Sequence, residues 1–548
     1  MSSLRVRAFR DRHRVAHRIA VDDERAVASD HAGLELRDRF IGSHLEHLGA
    51  ASNRVAGPNR CLEMPIHLEE HGAGPREVFG HDRVENGARD TTLDDNFAEP
   101  ARLRRGFIVV KGIPVAADLG EPFDVFRIHR ARALGDLPNA WDATRPDLID
   151  RAAHIFPIGR HANVTAIAAP SVDFDVVIVG ARCAGAATAL LLARRGLRVL
   201  AIDRGRYGSD TLSTHALMRA GVLQLSRWGV LDGLKAAGTP VIRATSFHYG
   251  GEVVAVPIKP QQDMEGLYAP RRTVIDRVLV DAARNAGAEM TFETQLVDLI
   301  RADDGRVSGV RIKDGLDRER QVSAGLVIGA DGVHSTVARL VGAECYRTGR
   351  HATGVVFSYW SGAEFDGYHW YYNPGVSAGA IPTNDEHTLI FATVPQSRFH
   401  ETMRHGADAG FRQVVKECSP DLAVVVEDAK MVEKYRGFSG EVGFFRQSFG
   451  PGWALVGDAG YFKDPLTAHG MTDALIDAEL LAQAVAAGTE AALAGYQSAR
   501  DELAVTHFEV TDRVASFEWD LPQAQQLHRA LSEEMKKESR AVTSFAMQ

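Results

Sequence analysis

The chain has 548 residues, 45% of them hydrophobic and 25% charged, enough for two or three domains with filled cores. A net charge of −9 argues against nucleic acid as the main partner, which would call for a basic face. Four scattered cysteines (Cys61, Cys183, Cys345, Cys418) give neither a disulfide framework nor a zinc spacing. No apolar run approaches the ~18 residues of a membrane span, and the Arg- and His-rich stretch from Met1 to Asp23 has no apolar core of a secretory signal. The expectation is a soluble, cytoplasmic protein.

Residues 1–170 differ from the rest. Lys111 is their only lysine, half of the 22 histidines fall among them, and apolar residues follow no sustained helical or strand period. The one strand-like run, Gly106-Phe-Ile-Val-Val-Lys111, buries little surface against its ordering entropy. Three readings stay open: a flexible extension, a domain with an illegible pattern, or translation written from too far upstream, with the natural start near Val164 or Val172. The last is the working expectation, and an intact mass that includes Met1 would overturn it. The histidines here lack metal-ligand spacing, and no metal is assigned.

From Asp173 the pattern sharpens. Phe174-Asp-Val-Val-Ile-Val179 reads as a buried parallel strand, Gly180-Ala-Arg-Cys-Ala-Gly185 as a tight turn, and Ala186 to Arg195 as a helix stopped by Gly196. Leu197 to Ile202 is a second strand ending in Asp203, 23 residues after Gly180. This is a dinucleotide-binding βαβ unit: Gly180 allows the turn, Gly185 the close helix packing, and the helix N-terminus offers amides to a diphosphate. The middle glycine of the usual G-x-G-x-x-G is Arg182, whose side chain must turn outward or meet the diphosphate itself.

Two later segments repeat the strand-then-acid pattern. Gly325-Leu-Val-Ile-Gly-Ala-Asp331-Gly332 leads to Ser335, a candidate cap for a short helix. Trp453-Ala-Leu-Val-Gly-Asp458 leads through Pro465 to a helix starting near His469 and running to about Ala487. That helix would aim the Gly470 and Met471 amides at negative charge, beside a loop stiffened by Pro465.

These three segments, in this order, resemble the FAD-dependent monooxygenase superfamily that includes aromatic hydroxylases, flavin halogenases and geranylgeranyl-reductase-like enzymes. The resemblance covers roughly residues 172–500. It implies an α/β fold: a Rossmann-like FAD-binding domain (about 172–240, 270–345 and 440–490) with an interleaved substrate domain built on an antiparallel sheet (about 241–269 and 346–439), then a helical segment over 490–548. It also implies that Asp203 holds the adenosine ribose, Arg219 and Asp458 reach the pyrophosphate and ribityl part of FAD, and Asp331 belongs to a shared FAD/NAD(P)H segment. Arg272 resembles a motif arginine, and Ala184 and Arg204 complete the cofactor set. The chain departs from the family at Arg182, at Gly460 and Tyr461 (usually Ala-His), at Ala468 (usually Gly) and at Thr472 (usually Asn), which places it in an outlying branch.

Between the FAD segments, Phe357-Ser-Tyr-Trp360, Tyr368-His-Trp-Tyr-Tyr372, 376–383 and 387–394 read as strands, the second closing on a Pro374-Gly375 turn. Their aromatics line a pocket or pack as core. His215, in Asp210-Thr-Leu-Ser-Thr-His215, is an acid–base candidate or a structural histidine. No catalytic side chain is assigned, because the cofactor carries the chemistry. From Glu490 the chain reads as polar helix, with Glu533, Glu534, Lys536 and Lys537 on a solvated face.

The leading expectation is a monooxygenase that takes electrons from NAD(P)H and inserts one atom of molecular oxygen into a small organic substrate. The alternatives are a C=C reductase or dehydrogenase on a lipid-like or polyketide substrate and a degenerate flavin-binding interaction module. A halogenase fits less well: the nearest text to its Trp-x-Trp-x-Ile-Pro segment is Trp370-Tyr-Tyr-Asn-Pro374, and Lys259 has no supporting context. Substrate, nicotinamide preference and oligomeric state have no signal in the sequence.

Overall fold

A computed structural model describes residues 172–545, so the expectations for residues 1–170 lie outside the described residues. Strand β1 (Phe174–Val179) and strand β2 (Val199–Ile202) run parallel and are joined by helix α1 (Cys183–Arg194). The β-branched run of β1 suits a strand covered on both faces. Helix α1 starts at Cys183 rather than Ala186, because extended Arg182 is its N-cap and the small Cys183-Ala184-Gly185 stretch fits the first turn. It is apolar nearly all round, as a helix sandwiched between layers must be. It ends as expected, with Gly196 at φ 81°.

Four parallel pairings bring the three motif segments together. Trp453–Leu455 pairs with Glu319–Gly329, which pairs with β1, then β2, then Glu289–Thr291. In register, Val179 lies opposite both Ile202 and Gly329, and Gly329 opposite Leu455. The strands therefore end at one edge of the sheet, and each continues into the loop that carries its motif acid. Open parallel sheets bind ligands beyond such an edge.

The second eight-stranded sheet has Thr353–Ser361, His387–Pro395, Val376–Pro382 and Tyr368–Asn373 in antiparallel succession. This is the expected substrate domain built on an antiparallel sheet, with one parallel pairing inside it. Ala244–Tyr249 joins Tyr368–Asn373 in parallel, because it arrives from before the second FAD segment and is linked to it by no hairpin. Side chains alternate across this sheet: Val355, Phe357 and Tyr359 pack towards the FAD-binding layer, Val356 and Trp360 towards a separate helical core. Most of the aromatics on these four strands are core, and Phe357 among them also reaches the cavity described below.

Further helices are α2 (Arg219–Arg227), α3 (Arg272–Asn285), α4 (Gly470–Ala487), α5 (Glu490–Ala515) and α6 (Leu521–Phe545). Helices α3 and α4 pack on α1, and α5 and α6 pack on each other. The solvated-face expectation for α6 holds for Glu533, Lys536 and Lys537, but Glu534 is buried and takes the Lys537 ammonium at 2.8 Å. Among the described residues no helix is long and apolar enough to cross a membrane.

Candidate active site

At the shared strand edge lies a cavity of about 730 Å³. Its first wall is the βαβ turn. Gly180 has φ 101°, and a Cβ there would fall 2.3 Å from the Ala330 carbonyl oxygen. A Cβ on Gly185 would fall 1.8 Å from the Gly180 oxygen, so α1 can sit this close to the turn only with glycine. Gly185 is thus a packing residue beneath the cavity, while Gly180 and Ala184 line it. Asp203 accepts the Ala181 amide at 2.9 Å and the Gly205 amide at 2.7 Å, tying the end of β2 to the turn and facing the cavity beside exposed Arg204.

Arg182 stands where the usual glycine is missing. Its guanidinium lies along the cavity wall, donating to the Ser209 carbonyl at 3.0 Å and hydroxyl at 3.1 Å, with Asp276 at 3.4 Å. Arg272 opens α3 and donates twice to the other oxygen of Asp276, at 3.1 and 3.2 Å. Buried Asp276 thus holds two cations at one wall, a role that the sequence did not reveal across 94 residues. Arg219 is a correction: it does not line the cavity. It starts α2, and its guanidinium donates instead to the Lys259 carbonyl at 2.9 Å and Gln261 at 3.3 Å.

Asp331 lines the cavity but is also a helix cap, accepting the Ser335 hydroxyl and the Thr336 and Val337 amides. Ser335 caps the same short helix through the Ala338 amide, as expected. Asp458 faces the cavity, and none of the described residues donates to it within hydrogen-bond distance. Burial, with neighbouring Asp473, pushes its carboxyl up to about 7 against the pull of Arg272 and Lys463.

Pro465, Gly470 and Met471 line the far end, where the N-terminus of α4 meets the cavity. Ala468, where the family has glycine, adopts a left-handed conformation with φ 51°. Ala468→Gly is expected to stabilise the protein by about 1 kcal/mol, read from denaturant unfolding, because glycine removes the strain of that conformation. Apolar side chains also line the cavity: Leu212, Val355, Phe357, Phe438 and Phe462.

Besides Asp276, three residues were missed or left open by the sequence. Lys463 lines the cavity although its side chain is buried, and its ammonium lies 3.0 Å from Asp473 on α4. His215 lines the cavity with φ 43°, and its Nε2 is 2.8 Å from the Tyr359 hydroxyl. Burial, reinforced by Arg271, pushes that imidazole down to about 3 against Asp210, so it is neutral near pH 7. Asp477, inside α4, accepts the Gly457 amide at 3.2 Å, and burial pushes it up to about 7.

A folded-state pKa raised above the unfolded 3.8 means stability that is fully present below that value and lost as pH rises through about 7. Asp477→Asn keeps an acceptor for the Gly457 amide without the charge. Its stability advantage over the wild type should therefore grow between pH 4 and 8, to on the order of 4 kcal/mol, in urea unfolding measured across that range.

The donor set fits a dinucleotide carrying a flat ring: a cradle closed to any Cβ, two arginines in the middle, then a helix N-terminus facing apolar and aromatic side chains. The comparisons with known proteins agree. The sequence profile of the FAD binding domain family (FAD_binding_3) matches residues 173–510. The chain is 28% identical to digeranylgeranylglycerophospholipid reductase 2 of Methanopyrus kandleri over 344 residues, 58% of this chain and 78% of the reductase. It is 31% identical to aklavinone 12-hydroxylase RdmE of Streptomyces purpurascens over 248 residues, 40% of this chain and 45% of the hydroxylase. The flavin-dependent brominase Bmp2 shares the fold, with a TM-score of 0.58 at 19% identity, covering 67% of this chain and 93% of the brominase. The chain belongs to the FAD binding domain family and is an FAD-dependent oxidoreductase acting on an organic substrate.

Proposed function

We propose that the enzyme reduces a carbon–carbon double bond or quinone of an apolar, isoprenoid-type substrate, with NAD(P)H as the source of electrons. The observation that carries this reading is that Val355, Phe357, Phe438 and Phe462 line the same cavity as the α4 N-terminus. The match to a lipid reductase over 78% of its length supports the same chemistry. In this reading Asp203 takes the adenosine ribose, and the α1 N-terminus with Arg272 and Arg182 meets the diphosphate. Asp458 meets the ribityl chain, and Gly470 and Met471 face the ring. FAD supplies two-electron transfer when bound. The chain's part is to orient the substrate against the aromatic wall, to exclude water, and to place neutral His215 with Tyr359 where a proton can be exchanged.

A second reading is hydroxylation with molecular oxygen, favoured by the 31% identity to the hydroxylase. One experiment separates them. Holoenzyme reduced with dithionite under argon is mixed with geranylgeraniol or menadione. Anaerobic return of the yellow colour, with a product gaining two hydrogens, supports the reductase. Return of colour only in air, with an oxygen atom added to a phenolic probe such as 2-naphthol, supports the hydroxylase and overturns the first reading.

A further inference from the structure

We propose that Glu538, carried by α6, is a positioning residue that lowers the reduction potential of the flavin through His469. The inference rests on placing the flavin ring at the N-terminus of α4.

His469 is the N-cap of α4 and borders the cavity, yet its side chain is fully buried and meets Glu538 instead: Nε2 lies 2.7 Å from Oε2. The other carboxylate oxygen is 2.9 Å from Nδ1 of His507, on α5. Glu538 is 2% exposed, so this is a carboxylate in the interior, clamped by two imidazoles from two other helices. Asp473 lies 3.7 Å from the same His469 nitrogen and pairs with Lys463. The charged groups facing the cluster are therefore Asp473 and Lys463.

The three ligand atoms stand close enough to hold a metal ion. The outward nitrogens decide against one. His469 Nδ1 and His507 Nε2 have no hydrogen-bond partner. With a metal inside, both would be buried N–H donors without acceptors, whereas ligating histidines almost always donate that proton to a partner. With its inner N–H aimed at Glu538, neutral His507 turns a bare acceptor outward, the more tolerable case. Although burial pushes Glu538 up, the two histidines hold its carboxyl well below the usual range. Burial, with Lys463 and His469, pushes His507 down to about 3. The clamp thus holds a carboxylate and leaves His507 neutral.

The carboxylate sits behind the helix end whose amides face the ring. Adding two electrons and one proton to oxidised flavin creates one negative charge there. The helix end favours that charge, and Glu538 opposes it. A unit charge acting across about 10 Å at an effective dielectric near 20 shifts an equilibrium by about tenfold.

The test measures flavin content and then midpoint potential, against reference dyes, for wild-type holoenzyme, Glu538→Gln and Glu538→Asp. Glu538→Gln should shift the reduction equilibrium about tenfold towards the reduced form, about 30 mV for a two-electron couple. Glu538→Asp, which keeps the charge, should stay near wild type. An unchanged or lowered potential in Glu538→Gln overturns the proposal, as does an equal shift in both variants, which would mean packing alone. If Glu538→Gln retains no flavin, His507→Gln carries the test, with a smaller shift in the same direction expected and none overturning it. One equivalent of zinc per chain in the wild type, by elemental analysis, overturns it in favour of a metal site. A wild type that binds no FAD defeats the underlying flavin placement, and this inference with it.

Discussion

Replacing Gly185 by valine is expected to abolish FAD retention. The Cβ alone would fall 1.8 Å from the Gly180 carbonyl oxygen, a backbone atom that cannot swing away as a side-chain tip would. Gly180 is itself wedged against Ala330, where a Cβ would fall at 2.3 Å, so the turn cannot retreat into the sheet. Helix α1 must move outward instead, into α3 and α4, which carry Arg272 and the Gly470 end of the cavity. Overpacking a core costs about 1–3 kcal/mol, and a backbone collision lies at or above the upper end. The purified variant should be colourless, or recovered only as aggregate, when flavin absorbance is compared with protein concentration. Gly185→Ala should weaken retention in the same direction. A Gly185→Ala protein that stays fully yellow, with wild-type unfolding, would show that the turn tolerates what its geometry forbids.

The second large effect is expected at Asp464, where the flavin-facing loop is fastened to the substrate sheet. One carboxylate oxygen accepts the Thr353 amide at 2.7 Å; the other accepts the Thr353 hydroxyl at 2.7 Å and the Leu466 amide at 2.9 Å. All three partners are on the strand Thr353–Ser361 or in the turn leading to α4. Asp464→Ala leaves those donors buried and unpaired, at about 1 kcal/mol or more apiece, so a loss of about 3–4 kcal/mol is expected. The melting temperature at pH 7 should fall by roughly 6–12 °C on the scale of large domains. Burial pushes the Asp464 carboxyl up to about 6. Wild-type stability from this group is thus present below 3.8 and declines as pH rises through about 6, so the penalty of Asp464→Ala should be larger at pH 5 than at pH 7. Thr353→Val removes only the hydroxyl and should cost about 1 kcal/mol. Equal melting temperatures for Asp464→Ala and wild type would mean that the two layers are held by other contacts.

The sequence carried the parts of this site whose physics is local. The glycine positions, the alternating strands, the Ser335 cap and the start of α4 all follow from short-range backbone preference, and the structure has each of them. What it hid was pairing at a distance. Nothing near Asp276 announces that it holds Arg182 and Arg272, and nothing near Arg219 tells that residues 259–261 will claim its guanidinium. The roles given to Arg219 and Asp331 came from resemblance, and the structure turns the first away from the cavity and gives the second a cap to make. Glu538 did leave a trace. Leu527, Leu531, Glu534, Glu538 and Val542 recur at spacings of three and four on α6, so two carboxylates lie on its buried stripe. A charge at such a position needs a buried partner, and His469 and His507 are that partner.

The strand order of the FAD-binding sheet has a consequence for how the protein is made. Strand β1 is synthesised first, but its neighbour Glu319–Gly329 follows roughly 140 residues later, and Trp453–Leu455 later still. At about 5–20 residues per second, the ribosome takes on the order of 15–55 s between releasing β1 and releasing the strand that completes its motif edge. Until then the nascent sheet presents an open, apolar edge, and no partial product can possess the cavity. Non-local pairing of this kind folds slowly and invites aggregation. Expression at low temperature with holdase chaperones should raise the soluble yield, and added flavin should help only once chains are complete.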